Sequence, residues 1–185
     1  AYSSLTICYN PSLFSIETLS SLLASFSDHE SLVSSASKTL RIPVCYDNSF
    51  ALDIDFVLEQ TQLSKVRLIE LHTAMLYQVY LLGFLPGFAY LGKVSAQIFC
   101  PRKEHPRLKI PRGAVGLAGH QTGIYPSNSP GGWQIIGQCP LPVFDFNLEH
   151  PFLFEVGDQV KFEAIDLSTF KAIKSNPQLW DLSPS

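Results

Sequence analysis

The chain has 185 residues, of which 46% are hydrophobic and 16% charged, and its formal net charge is −3. This composition indicates a compact globular protein and excludes a largely disordered one. The small negative charge gives no reason to expect nucleic acid or an anionic membrane as a partner, and no apolar run approaches the roughly 18 residues of a membrane helix.

The N-terminal residues predict half of a small α/β sandwich. Apolar and polar residues alternate over residues 5–9, which favours a strand. Ser15 is placed to cap a helix over residues 16–26, and a second strand follows over residues 40–46, with Pro43 at an edge. Because these elements are too few for a domain, we expect a truncated sandwich with further elements upstream. The first residues predict no signal peptide.

The next segment predicts two short helices over residues 53–75, the second capped by Ser64. His72 falls near the end of that helix, where a protonated imidazole would interact favourably with the helix dipole.

From Tyr77 onward, short strands alternate with turn residues. Strands are predicted over residues 77–82, 115–118, 134–136 and 160–164. Repeated short strands with glycine corners predict a closed or partly closed barrel. The expected organisation is therefore α+β. Its parts are a partial α/β domain with two linking helices (residues 1–76), a barrel (77–166) and a loosely packed tail (167–185).

The cysteines and histidines do not indicate a metal site. The four cysteines are far apart in the sequence, and the five histidines show neither HExxH nor HxH spacing. Isolated cysteines in apolar strands fit a reducing compartment, so we predict a cytoplasmic protein.

Backbone of unusual shape is expected in the second half of the chain, because all eleven glycines lie between Gly83 and Gly157. Within this half, residues 100–113 form a basic segment. Its cations can bind a carboxylate or a phosphate, with Arg102 and Arg107 as the leading candidates. The alternative is a solvated loop face.

A second group of polar residues follows the basic segment. We expect the substrate to be bound by Gln121, Thr122, Tyr125, Ser129, Gly131, Gly132 and Trp133. The side chains offer neutral donors and acceptors, and the glycine pair offers free backbone N–H groups. The alternative is that these residues only satisfy turn backbone. His120, in the same loop, is the one histidine that we consider as an acid or base.

The glycine-rich half also predicts two spatial arrangements. Arg102 and Arg107 should converge with Gln121, Thr122 and Tyr125 on one cleft at the barrel mouth, because successive corners of a small barrel meet at its ends. Four apolar residues around Pro86 should form an exposed patch for a partner. They are Phe84, Leu85, Phe88 and Tyr90.

Four motifs occur in a characteristic order. They are GFLPGFAYLG (residues 83–92), the Pro-Arg pairs at 101–102 and 106–107, GHQTGIYP (119–126) and SPGGWQIIG (129–137). In these motifs the chain resembles the family of the B subunit of bacterial ATP-dependent 5-oxoprolinase. That family also contains sporulation-kinase inhibitors and the first-subunit domain of allophanate hydrolase and urea carboxylase.

The resemblance implies a cyclophilin-like barrel after the N-terminal α/β domain. It also implies a complex with the C and A subunits of 5-oxoprolinase, which opens 5-oxo-L-proline to L-glutamate and is driven by ATP hydrolysis. The chain itself has no Walker loop, so ATP is expected at the level of the complex. Alternatives within the family are a regulatory protein that inhibits a histidine kinase and half of a biotin-dependent carboxyltransferase.

The chain departs from the family pattern at five positions. Arg112 and Ala114 stand where the motif usually has alanine and serine, and His120 stands where glycine, proline or another residue is typical. Gln138 and Cys139 replace the usual basic residue and threonine. If the site depends on the lost hydroxyl or cation, its activity is altered.

Overall fold

The computed structural model describes residues 6–25 and 37–183. These described residues fall into two compact units, which are divided after residue 37. The helices are α1 (Ile16–Ser25), α2 (Ile54–Thr61), α3 (Lys65–Ala74) and α4 (Leu167–Ser175). The strands are β1 (Thr39–Cys45), β2 (Leu76–Leu82), β3 (Ala89–Gly92), β4 (Arg107–Ile110), β5 (Ala114–Ala118), β6 (Gln121–Ile124), β7 (Ser129–Gly131), β8 (Gln134–Gln138) and β9 (Gln159–Ile165).

In the N-terminal unit, the predicted helix is present and the predicted strand is not. The Oγ of Ser15 accepts a hydrogen bond from the N–H of Thr18 at 3.2 Å and so caps α1. Residues 6–10 form no strand, and they pair with none of the strands in the described part of the chain. The predicted positions Leu5 and Phe26 lie outside the described residues.

Seven strands of the second unit form a closed barrel in the order β1-β8-β5-β6-β3-β2-β9. β9 closes it, since it runs parallel to β1 along all seven residues and antiparallel to β2. The predicted α+β fold with a barrel is therefore confirmed. No helix among the described residues is long and apolar enough to cross a membrane.

β1 belongs to the barrel and not to an N-terminal sandwich. Its residues Leu40, Ile42 and Val44 face the barrel core, and the unit that contains it begins at residue 38, well before the expected boundary at residue 76. The alternating pattern identified the strand correctly. It carried no information on the partner strand, which lies more than a hundred residues further along the chain.

The two helices predicted over residues 53–75 are present, as α2 and α3. The Oγ of Ser64 accepts a hydrogen bond from the N–H of Arg67 at 3.2 Å and caps α3. α3 packs on β9, and α2 packs on β8. Both helices therefore cover the barrel instead of linking it to another domain.

Each face of β5 packs into a different core. Val115 and Leu117 point into the barrel, whereas Ala114 and Ala118 point outward into a smaller cluster built around Trp133. Successive side chains of a strand alternate between faces, so β5 and its neighbour β6 form a wall between the two cores. The short strands β4 and β7 pair with each other outside the barrel. The sequence pattern did not predict β3, β4, β6 or β7.

The C-terminal segment is ordered, in contrast to the loosely packed tail that we expected. Asp166 caps α4 by accepting a hydrogen bond from the N–H of Thr169 at 2.7 Å. Further on, the indole N–H of Trp180 donates to the carbonyl of Arg41 at 2.9 Å, and the N–H of Arg41 donates to the carbonyl of Leu182 at 2.9 Å. Residues 180–182 are thus hydrogen-bonded to β1.

Candidate functional site

A cavity of about 380 Å³ lies on the outer face of the β5–β6 wall. We call it the aromatic cavity. Its lining residues are Phe84, Phe88, Tyr90, Pro101, Arg102, Ala118, Gly119, Gln121, Tyr125, Gly131, Gly132 and Trp133. Six of the ten residues that the sequence suggested as site residues line this cavity, and the other four do not.

Two glycines in the wall make room for the aromatic floor of the cavity. A Cβ at Gly116 would lie 3.0 Å from the Cβ of Trp133, and one at Gly123 would lie 3.1 Å from the indole ring of the same residue. The indole in turn meets the ring of Phe88 edge to face, with centroids 5.2 Å apart. Flat apolar surfaces of this kind suit a small ring.

Arg102 is the cation of the aromatic cavity. Its side chain is exposed and makes no hydrogen bond or ion pair with any residue that the structure describes. Its Nη2 atom lies 3.7 Å from the position that a Cβ would occupy at Gly132. The guanidinium therefore keeps its fork of donors free for an anion.

Tyr125 and Gln121 supply neutral polar groups. Burial raises the pKa of the Tyr125 phenol to about 12, although the backbone N–H of Trp133 and the charge of Arg102 act in the opposite direction. The phenol is thus protonated at neutral pH and can donate or accept a hydrogen bond, but it cannot act as a base. Gln121 is half-buried and lines the same cavity.

Arg107 does not converge on this cavity, contrary to the expectation. Its guanidinium binds both oxygens of Asp53, at 2.6 Å and 2.8 Å, and Lys103 binds the same carboxylate at 2.7 Å. The backbone N–H of Ile135 also donates to Asp53, at 2.8 Å. Arg107 therefore ties the basic segment to the start of α2.

Asp53 is buried and charged. Burial by itself would raise the pKa of this carboxyl, but hydrogen bonds from Arg107, Lys103 and the N–H of Ile135 outweigh it and hold the pKa below the usual value. Sequence reasoning missed this role, because an aspartate before a helix is an ordinary cap residue and nothing nearby in the sequence indicates its partners.

Thr122 is also outside the cavity, for a reason of strand geometry. It lies between Gln121 and Gly123 on β6, so it faces the barrel interior when they face outward. There its hydroxyl lies 2.9 Å from Nε2 of His72.

His72 is the centre of a buried polar network inside the barrel. Its Nδ1 lies 2.6 Å from the hydroxyl of Tyr46, and its ring stacks on Phe162 with centroids 4.6 Å apart. Burial lowers the pKa of His72 to about 3. The imidazole is therefore neutral, and the expected interaction of a charged histidine with the helix dipole is wrong. The sequence contains one signal of this burial. His72 lies four residues after Leu68, which places both on the same, buried face of α3.

Ser129 and His120 lie near the site but do not line the cavity. Ser129 is buried on β7, and its hydroxyl has no partner among the described residues. His120 is exposed in the turn between β5 and β6, where its ring packs against Phe99 with centroids 4.8 Å apart.

The expected exposed patch around Pro86 is reduced to one of its four apolar residues. Phe84 is 61% exposed, whereas Phe88 is buried and packs in the aromatic cluster. Leu85 and Tyr90 are partly buried against that cluster.

None of the five residues that depart from the family motifs lines the aromatic cavity. Arg112, Gln138 and Cys139 line a different cavity of about 360 Å³, which shares no lining residue with the first. Ala114 is buried in the cluster built around Trp133. No group of three potential metal ligands occurs among residues 6–25 and 37–183.

Residues 1–154 match the family described as the carboxyltransferase domain, subdomains C and D. The chain belongs to this family. It is 47% identical over 137 residues to the B subunit of 5-oxoprolinase from Bacillus subtilis (strain 168), and the match covers 74% of this chain and 57% of that relative. The chain thus spans little more than half the length of this relative.

Two further similarities agree with this membership. A conserved uncharacterised protein from Pyrococcus horikoshii superposes with a TM-score of 0.70 at 48% identity, covering 88% of this chain and 74% of that one. The urea amidolyase of Saccharomyces cerevisiae is 32% identical over 122 residues, covering 60% of this chain and 6% of that protein.

Proposed function

We propose that the chain acts as the B subunit of an ATP-dependent 5-oxoprolinase, which converts 5-oxo-L-proline to L-glutamate. Similarity to proteins of that name supports this proposal. The structural observation that carries it is the aromatic cavity, in which an arginine with no partner among the described residues lies beside a phenol, an amide and an aromatic floor. A small ring that carries a carboxylate matches this cavity, because the ring can pack on the aromatic floor and the carboxylate can pair with the arginine.

The residues have distinct proposed roles. Arg102 binds the substrate carboxylate through its free fork of donors. Tyr125 and Gln121 hydrogen-bond the lactam amide, and Trp133 with Phe88 covers the ring. Ser129, Thr122, His120 and Arg107 support the site or the fold without contacting the substrate.

The chemistry of the reaction explains why further subunits are needed. A lactam carbonyl is resonance-stabilised, and transfer of the γ-phosphoryl group of ATP to its oxygen would make the carbon open to attack by water. That step needs cations around the phosphoryl group. Among the described residues that line the aromatic cavity, Arg102 is the one cation. We propose that homologues of the A and C subunits supply the rest, including the ATP site, and that the complex is a cytoplasmic hetero-oligomer.

The experiment is co-expression of the chain with the A and C subunits, followed by an assay for 5-oxoproline-dependent ATP hydrolysis. We expect turnover from the complex and none from the purified chain. Turnover by the chain alone would refute the need for partners. A stable complex without 5-oxoproline-dependent hydrolysis would refute the proposed activity.

A second candidate function is carboxyl transfer with biotin, which the similarity to urea amidolyase favours. The same complex, supplied with carboxylated biotin in place of ATP, separates the two activities. Transfer of the carboxyl group to urea would support the second candidate and exclude the first.

A further inference from the structure

Phe84 has a backbone conformation that is rare for a bulky residue. Its φ angle is +70°, in the left-handed region that favours glycine, although the residue before it is Gly83. Two hydrogen bonds hold the turn around it. The N–H of Gly83 donates to the carbonyl of Phe88 at 3.1 Å, and the N–H of Phe88 donates to the carbonyl of Leu85 at 3.0 Å.

Burial of the ring does not account for this strain. The side chain of Phe84 is 61% exposed, and its ring meets the edge of Phe88, with centroids 5.7 Å apart. A strained residue that gains little from packing is a candidate for a functional role.

The ring does line the aromatic cavity, together with Tyr90, Trp133 and Arg102. The buried rings of Phe88 and Trp133 form its floor, so Phe84 is the aromatic residue of the cavity that is mostly open to solvent. A ligand in the cavity would cover part of this exposed ring. Contact with the ligand would then offset the strain of the backbone.

We infer that Phe84 is a specificity-determining residue that closes the aromatic cavity over a small, flat, ring-shaped ligand whose anionic group binds Arg102. This inference rests on the proposed function for the identity of the ligand, 5-oxo-L-proline. The left-handed backbone directs the ring toward the cavity, and the ring excludes water from one face of the ligand.

The test uses the complex with its partner subunits and three variants. Phe84→Ala removes the ring, and Phe84→Gly removes it and also relieves the backbone. Phe146→Ala is the matched control, because that phenylalanine is 80% exposed and does not line the aromatic cavity. Titration calorimetry measures binding of 5-oxo-L-proline without ATP, and steady-state kinetics measures KM and kcat with ATP.

We expect both Phe84 variants to weaken binding and raise KM about tenfold, with kcat within about twofold of the wild type. The Phe84→Gly chain should also melt at a higher temperature than the Phe84→Ala chain, because glycine adopts a positive φ without strain. The Phe146→Ala control should leave KM unchanged.

Three outcomes would overturn the inference. Unchanged binding and KM would make Phe84 a structural residue, and loss of co-elution with the partner subunits would make it an interface residue. Failure of the wild-type complex to bind 5-oxo-L-proline would overturn both the inference and the proposed function. If the wild type binds but does not hydrolyse ATP, only the proposed activity fails, and the calorimetry still decides the role of Phe84.

Discussion

Arg107 and Asp53 form a two-point ion pair across 54 positions of the chain, with N–O distances of 2.6 Å and 2.8 Å. The pair fixes the basic segment against the start of α2. Arg102, five residues earlier, makes no such pair among the described residues and lines the aromatic cavity. Arg102 and Arg107 are equivalent by the sequence pattern, but among the described residues only Arg107 of the two forms an ion pair. Their replacement should therefore have different effects.

Replacement of Arg107 by alanine should destabilise the fold. Asp53 would remain buried with Lys103 as its one cationic partner among the described residues, and loss of a buried charged contact costs roughly 2–4 kcal/mol. Urea unfolding of the purified chain measures this loss. Lys109→Ala is the control, since that lysine is exposed. If the variant instead kept the stability of the wild type and its complex lost turnover, Arg107 would belong to the catalytic site.

Replacement of Arg102 by alanine should leave the fold intact and reduce turnover of the complex. Because the side chain is exposed and unpaired among the described residues, the melting temperature should stay within about 1 °C of the wild type. Because the substrate carboxylate that Arg102 is proposed to bind is present in the ground state and in the transition state, kcat/KM should fall about 10²–10³-fold, mainly through a higher KM. Steady-state kinetics beside Lys109→Ala, which removes the same charge, checks this. A rate equal to that of the control would exclude the contact.

Two neighbouring glycines offer a matched test of the cavity wall. A Cβ at Gly131 would lie 2.4 Å from the hydroxyl of Tyr125 and 2.8 Å from Ile110, whereas one at Gly132 would meet nothing closer than 3.6 Å. Gly131→Ala should therefore displace the phenol and weaken ligand binding, and Gly132→Ala should be tolerated. Calorimetric titration of both variants in the complex measures the affinity for the ligand. Equal affinities would contradict the prediction that a Cβ at residue 131 displaces the phenol.

Acid should destabilise the barrel through His72. The pKa of His72 is about 3 in the folded chain and 6.5 in its ordinary state, so the unfolded chain binds the proton first as the pH falls. The contribution of His72 is complete above about pH 6.5 and is lost progressively toward pH 3, by about 1.4 kcal/mol for each pH unit.

The measurement is the free energy of unfolding in urea at several values between about pH 7.5 and 4.5, for the wild type and His72→Gln. The variant should be less stable at neutral pH and should show a shallower slope. Parallel slopes would mean that His72 is not the group that takes up the proton.

Signals from residues that are close together in the sequence correctly predicted several helices and strands. The cap at Ser64, the helices after Asp53 and the strand that contains Val160 all follow from neighbours within a few positions. The partner of β1 could not be predicted in this way, because parallel pairing with β9 depends on contacts more than a hundred residues apart.

The same limit applies to the candidate site. Arg102, Gln121, Tyr125 and Trp133 line one cavity, as the motifs predicted, but this cavity lies on the outer face of the β5–β6 wall and not at the barrel mouth. The error at Thr122 followed from the missed strand β6, because alternation along that strand sends neighbouring side chains to opposite faces. The error at Arg107 could not have been avoided, because nothing in the sequence near Asp53 indicates that its carboxylate is buried and binds a cation.

The position of β9 has a practical consequence for expression of shorter fragments. The family match ends at residue 154, whereas the strand that joins β1 to β2 begins at Gln159. A protein cut at the end of the family match would lose that strand and expose two unpaired strand edges, which favour aggregation. Fragments intended for crystallisation or binding studies should therefore extend at least through Leu182, whose carbonyl is bonded to β1.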